Sequence, residues 1–249
     1  MQTKSHKSDM KMGNTMGTIP NNNIGLSTDS TIERRAIGLF TYRRWKYILD
    51  RVFALLAIVI LSPLLALIAL AIKLDSHGSA IHSRTQVGEG EKTFTAYKFR
   101  TMYSNSDDRE YKLYLAKYIQ ELAPYKIDHN GRAVYKLVED SRVTRFGALL
   151  RKTNLDELPQ LYNVLKGEMS WIGPRPDIPF AVSMYKDWHR QRLCVKPGIT
   201  GLWQVSGRKG LSFDDMVRLD IDYIRRQSPI LDAKIVLFTV RTFLRGDGS

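Results

Sequence analysis

The sequence predicts a mainly helical α+β fold, in which a re-entrant helix–break–helix anchors a cytoplasmic domain with amphipathic interfacial helices and a few short strands. Three observations predict it. An apolar run from Val52 to Ile72 is interrupted only by Ser62 and Pro63. Residues 93–102 alternate as a strand does, with Tyr97 and Phe99 opposite Lys98 and Arg100. Near the end, Leu231, Ile235, Phe238 and Val240 share a helical stripe, with Lys234, Arg241 and Arg245 on another.

The apolar run is long enough to cross a bilayer as one straight helix. Pro63 lacks an N–H and disfavours a helical approach, so it is expected to kink or break the helix. Each half is then about 15 Å long, half the hydrocarbon core. Arg43, Arg44, Lys46 and Arg51 precede the run; Lys73 and Arg84 follow it, with Lys92, Lys98 and Arg100 farther on. Lys and Arg mark cytoplasmic loops, and balanced flanks favour a hairpin dipping into the inner leaflet over a kinked span. The Ser62 hydroxyl can serve a backbone carbonyl freed at the break. The mixed aromatic and basic stretch 40–50 suits the membrane interface.

The organisation expected is a disordered polar tail over 1–36, the interfacial and re-entrant helix over 37–75, and a cytoplasmic domain over 76–249. The chain has 249 residues and a net charge of +13, which seeks phosphorylated substrates, anionic lipid or nucleic acid. Cys194 is the only cysteine, so no intrachain disulfide can form. The five histidines show no paired metal-ligand spacing. Residues 107–123 read as a helix with Asp107 and Glu110 in capping-box spacing. Residues 124–132 read as a loop, and Leu202–Val205 as a short strand after the turn Pro197–Gly201.

The densest chemistry lies in Leu150–Gln160, ahead of a helix that starts somewhere between Asn154 and Pro159. Arg151 and Lys152 sit beside that helix start, where a phosphate would find donors and positive charge. Asp156 and Glu157 are adjacent. One reading makes them ordinary first-turn residues, with Asn154 as cap and Glu157 at the third position. The other makes them a site. Adjacent carboxylates on a helix diverge, so they would meet through a metal such as Mg²⁺ or play different roles. Gly173-Pro174-Arg175-Pro176 locks the backbone around one arginine. Ser206-Gly207-Arg208 sets a glycine beside a cation, which permits close approach to phosphate.

Together, Tyr97–Met102, Leu150–Leu165, Gly173–Pro176, Lys196–Arg208 and Leu219–Tyr223 resemble the bacterial sugar transferase family, the monotopic polyprenyl-phosphate phosphoglycosyl transferases, over about residues 37–249. The Ser62-Pro63 break is similar to that family's re-entrant helix. The resemblance implies transfer of a sugar 1-phosphate from a UDP-sugar to undecaprenyl phosphate, with release of UMP and Mg²⁺ as cofactor. It implies Asp156 as nucleophile and Glu157 as its acidic partner, both as ligands of the metal. Arg151 would bind phosphate, and Lys98, Arg100, Arg175 and Arg208 would hold donor phosphates or nucleotide. It also implies membrane lipid as a partner, no nucleic acid, and the bacterial cytoplasmic membrane as location; a homodimer is left open. Two positions depart from the family pattern: Asn154 stands where Ser is usual, and Trp171-Ile172 precedes Gly173 where smaller residues are common. Two other functions fit the bare composition. A phosphatase would use the same Asp and Mg²⁺ with water as acceptor; a basic tethered binding protein would bind nucleic acid or lipid without turnover.

Overall fold

The computed structural model describes residues 30–103, 109–120, 126–127, 133–134, 142–206 and 211–244. The chain divides into a unit over 1–37 and a compact unit over 38–249. Most of the expected polar tail, 1–29, lies outside the described residues, and α1 (Ser30–Asp75) begins at its end.

The compact unit is mainly helical. After α1 come β1 (Ile81–Val87) and β2 (Thr93–Phe99), an antiparallel hairpin pairing Ile81 with Phe99 and Val87 with Thr93. Then follow α2 (Arg109–Ile119), β3 (Lys126–Ile127), β4 (Ala133–Val134), α3 (Arg145–Lys152) and α4 (Gln160–Lys166). β5 (Ser170–Ile172), α5 (Pro179–Val182), β6 (Gly198–Thr200), α6 (Leu202–Val205), α7 (Phe213–Arg226) and α8 (Pro229–Leu244) complete it. The main core lies where α2, α5 and α7 meet, around Leu115, Ile119, Ala181, Val182, Phe213 and Val217.

The expected break at Pro63 is not an end of the helix: α1 continues through it. The reason is local. Pro63 cannot donate to the carbonyl four residues back, that of Val59. The Ser62 hydroxyl donates to that oxygen instead, at 2.8 Å. One orphaned acceptor is satisfied within the helix, so helical geometry persists.

Both ends of the apolar part of α1 pack on the rest of the unit. Ala54 meets Val164 and Met169, while Ile68 and Ile72 meet Phe99 and Leu150. Between them Leu55, Leu56, Val59, Ile60 and Leu67 stay exposed. A buried polar clasp fixes the N-terminal side. Lys46 Nζ lies 2.8 Å from Asp232 and 3.6 Å from Asp50. Tyr42 and Tyr223 both donate to Asp232, Ser170 donates to Asp50, and the Trp171 indole donates to the Asp50 carbonyl. Trp171 is therefore a tie to α1, which is its role here.

Two sequence expectations change. Leu202–Val205 is a helical turn, not a strand. The preceding β6 already holds the only strand position beside β5 among the described residues, and the Gln204 side chain folds back to donate to the Ile199 carbonyl. Within the expected loop 124–132, Lys126–Ile127 pairs with β4 as a two-residue strand. The capping residue Asp107 lies outside the described residues. The α8 stripe is split: Ile235 is buried, while Phe238 and Val240 are exposed with Ile230 and Leu237.

β5 and β6 are parallel, and three glycines let the chain close around them. A Cβ on Gly198 would strike the Gly173 backbone nitrogen, and one on Gly201 the Gly173 carbonyl oxygen. These glycines serve backbone packing, and backbone atoms cannot yield as a flexible side chain can. Gly198→Ala is expected to destabilise the protein by about 2 kcal/mol or more. In a thermal melt of detergent-purified protein that corresponds to a Tm lower by roughly 4–8 °C; an unchanged Tm would show that the strand pair can open to admit a methyl group.

Candidate active site

Four segments converge on one acidic centre. β2 brings Lys98, α3 brings Arg151, a 3-10 turn over Leu155–Glu157 brings Asp156 and Glu157, and the loop after β5 brings Arg175. Each segment is fastened locally. Thr144 caps α3 by accepting from the Gly147 N–H at 2.9 Å, and its own N–H donates to the Thr101 carbonyl at 3.0 Å, just beyond β2. Gly147 is required there, because a Cβ would strike the Thr101 backbone. Fully buried Asn163 ties α4 to β2: its amide donates to the Thr95 carbonyl at 2.6 Å and its oxygen accepts from the Tyr97 N–H at 3.1 Å.

The turn itself is not an ordinary helix cap. Asn154 sits in the left-handed region at φ 50° and its side chain makes no capping hydrogen bond. α4 begins only at Gln160, with Pro159 at its cap position. The capping-box reading of Asn154 and Glu157 therefore fails. Asn tolerates the left-handed conformation better than most residues, which suits it to this reversal.

The two carboxylates occupy unlike environments although both are buried. Glu157 is clamped. Lys98 Nζ lies 2.6 Å from its Oε1, and Arg175 forks onto both oxygens, at 2.6 Å and 3.3 Å. Burial alone would raise the pKa of Glu157, but Arg175 and Lys98 outweigh it and hold the carboxyl well below the usual range. The charge of Glu157 in turn raises the pKa of Arg175. Asp156 has no hydrogen bond or ion pair among the described residues. Its pKa is raised, chiefly by burial; the Glu157 charge adds to this against the pull of Lys98, Arg175 and Arg151. One carboxylate is a fixed counter-ion. The other is a desolvated carboxyl in the field of three cations.

The remaining expected residues divide. Arg151 borders the site and is held by the Thr101 hydroxyl at 2.9 Å. Arg100 does not join it. Its guanidinium is buried on the carbonyls of Ile72, Ser76 and His77, where it caps the C-terminal end of α1. A cation at a helix C-terminus also opposes the helix dipole, so Arg100 serves the anchor. Arg208 lies outside the described residues. Glu157 is a poor candidate for the metal, since both its oxygens are engaged by cations. No three His, Cys, Asp or Glu side chains come together among the described residues. A hard cation here would take Asp156 as its protein ligand and complete its shell with phosphate and water oxygens. That donor set fits Mg²⁺ and not zinc.

Sequence reasoning missed Thr101 and Asn163. Thr101 lies in a quoted motif but reads as any strand-end threonine. Asn163 stands in an apolar helix, where a lone polar residue is the one signal that could have marked it.

The split in environment sets opposite stability signs. A raised folded-state pKa means that Asp156 favours folding only while protonated; that contribution is full below the unfolded pKa of about 4 and is lost as pH rises through the folded value. The lowered pKa of Glu157 works the other way: its contribution is present above the unfolded value and lost as pH falls. At neutral pH Asp156→Asn is expected to leave Tm unchanged or higher, and Glu157→Gln to lower it, by leaving Lys98 and Arg175 without their counter-charge. Equal shifts of the same sign in thermal melts would refute the division of roles.

Comparisons with known proteins give the family. The family model for bacterial sugar transferases matches residues 41–246. An uncharacterized sugar transferase of Haemophilus influenzae is 40% identical over 208 residues, covering 82% of this chain and 42% of that protein. The exopolysaccharide production protein ExoY of Sinorhizobium fredii is 37% identical over 205 residues, covering 80% of this chain and 85% of ExoY. The undecaprenyl-phosphate galactose phosphotransferase of Salmonella typhimurium is 40% identical over 200 residues, covering 80% of this chain and 40% of that enzyme. The chain thus spans less than half the length of two of these three relatives and most of the third. The family match over nearly the whole described length and relatives at 37–40% identity lead to one conclusion: the chain belongs to the bacterial sugar transferase family.

Proposed function

We propose that the chain is a phosphoglycosyl transferase that moves a sugar 1-phosphate from a UDP-sugar to undecaprenyl phosphate and so starts assembly of a polysaccharide or glycan. The observation that carries this reading is the contrast at the acidic pair, a buried Asp156 without a partner beside a Glu157 held by two cations. In the first step an Asp156 carboxylate oxygen attacks the β-phosphorus of the donor. The bond from that phosphorus to the bridging oxygen breaks, UMP leaves with the electron pair, and an aspartyl phospho-sugar remains. A phosphate oxygen of undecaprenyl phosphate then attacks the same phosphorus, expels the Asp156 carboxylate and yields the undecaprenyl diphosphate sugar. Lys98, Arg151 and Arg175 supply the positive field that phosphoryl transfer needs. Mg²⁺ bound to Asp156 and the donor would neutralise charge on the diphosphate.

Relatives named for galactose, glucose and N-acetylgalactosamine phosphotransfer share this family. The donor is therefore identified with a sugar panel. Purified protein in lipid is given undecaprenyl phosphate, Mg²⁺ and each UDP-sugar, and UMP is measured. Acceptor-dependent release with one sugar is expected, lost in Asp156→Asn and with EDTA, and restored by Mg²⁺. Because burial raises the Asp156 pKa, the acid limb of kcat/KM should lie above the ordinary aspartate value of about 4. Steady release without acceptor would make the protein a phosphatase.

The membrane reading is that α1, kinked at Pro63 without ending there, enters and leaves the same leaflet. Support comes from its docking: Lys46, Asp50 and Ala54 before the exposed apolar stretch, and Ile68, Ile72 and Ser76 after it, all contact one compact unit. From 55 to 67 the helix rises about 20 Å, roughly two thirds of a hydrocarbon core. Exposed Ile230, Leu237 and Val240 on α8 suit the same surface. An epitope tag at the N-terminus should resist protease added outside intact spheroplasts; its cleavage would establish a span.

A further inference from the structure

We propose that Arg192 is a positioning residue for this reaction, holding the Gly173–Asp177 loop so that Arg175 is delivered onto Glu157. The proposal rests on the reading of Asp156 and Glu157 as the reaction centre. Arg192 is 1% exposed, and its guanidinium reaches four acceptors. One nitrogen donates to Asp177 at 2.8 Å and to the Tyr185 hydroxyl at 2.9 Å. The other donates to the backbone carbonyl of Arg175 at 3.0 Å and pairs with Asp220 at 2.6 Å. Two of the four belong to the loop that carries Arg175, and one of these is the carbonyl of Arg175 itself.

The surroundings fix both ends of this arm. Tyr185 donates to the same Asp177 oxygen at 2.6 Å, and the Val87 N–H donates to the Asp177 carbonyl at 2.8 Å. The loop is thus pinned between Arg192 and the edge of β1. Asp220, 1% exposed on α7, balances the charge. Its contact is ionic: neither carboxylate oxygen meets a well-aligned donor. Stability alone does not require such a group. A buried ion pair rarely outperforms apolar residues of the same volume, because desolvation consumes most of the attraction. A planar fork with several fixed acceptors instead provides geometry. Arg175 must keep its bidentate approach to Glu157, and a backbone shift of about 1 Å would break it.

The test is a double-mutant cycle with a titration beside it. Arg192→Gln, Arg175→Ala and the double variant are compared in UMP release, and carbon-13 NMR follows the Glu157 carboxyl with pH. Arg192→Gln is expected to lower kcat roughly tenfold or more alone and by less than about twofold in the Arg175→Ala background, since a residue acting through another loses its effect without it. Glu157 is expected to titrate at a higher pH in both Arg192→Gln and Arg175→Ala than in wild type. Multiplying losses with an unmoved Glu157 titration would overturn the proposal. Arg192→Lys, which keeps the charge and loses the fork, carries the same comparison if Arg192→Gln fails to fold; loss of fold in both would make Arg192 a folding residue and overturn it too. If wild type releases no UMP with any donor, the transferase reading falls, and the titration still decides the role of Arg192.

Discussion

The structure turns on one carboxylate. Glu157 is buried, and only two cations from distant parts of the chain make that burial tolerable. Lys98 must come from β2 and Arg175 from the loop after β5, so a hairpin and a strand pair are both committed to one residue. Removing a partner from a buried charge is worse than never burying it. The same arrangement directs the hydrogen bonds of Lys98 and Arg175 to Glu157 and leaves Asp156, one residue away, desolvated and without a hydrogen bond. Two adjacent acids are thereby given different chemistry by their surroundings alone.

The strand pair that carries Arg175 illustrates how backbone packing serves chemistry. Gly173, Gly198 and Gly201 bring three stretches of main chain closer than any side chain would permit. The gain is a rigid seat for a single arginine. Pro174 and Pro176 on either side limit the backbone further. Rigidity of this kind matters for a reaction that depends on positioning and charge more than on bond-making by the protein.

Much of this was legible in the chain, and the failures have physical causes. The apolar run, the strand with Lys98, the acidic pair and the proline-flanked arginine are local patterns, and they appear where periodicity and spacing placed them. Arg100 was misread because alternation puts it on the same strand face as Lys98, while its long side chain reaches to the end of α1. Leu202–Val205 was misread because a four-residue apolar stretch does not distinguish strand from turn. The continuity of α1 at Pro63 hinged on a single hydroxyl. The partners of Glu157 lie 59 and 18 residues away, and no local pattern announces them.

The clasp of Lys46 with Asp50 and Asp232 has a consequence for biogenesis. The long apolar helix and the domain that follows share one interior, so neither is complete without the other. A fragment trimmed of α1 would leave Asp232 without its lysine and bare the apolar faces of Phe99, Leu150, Val164 and Met169. The domain can therefore complete its core only once its first helix has docked. Docking of that helix becomes a step of folding, and a copy in which it has not docked exposes an apolar seam open to aggregation.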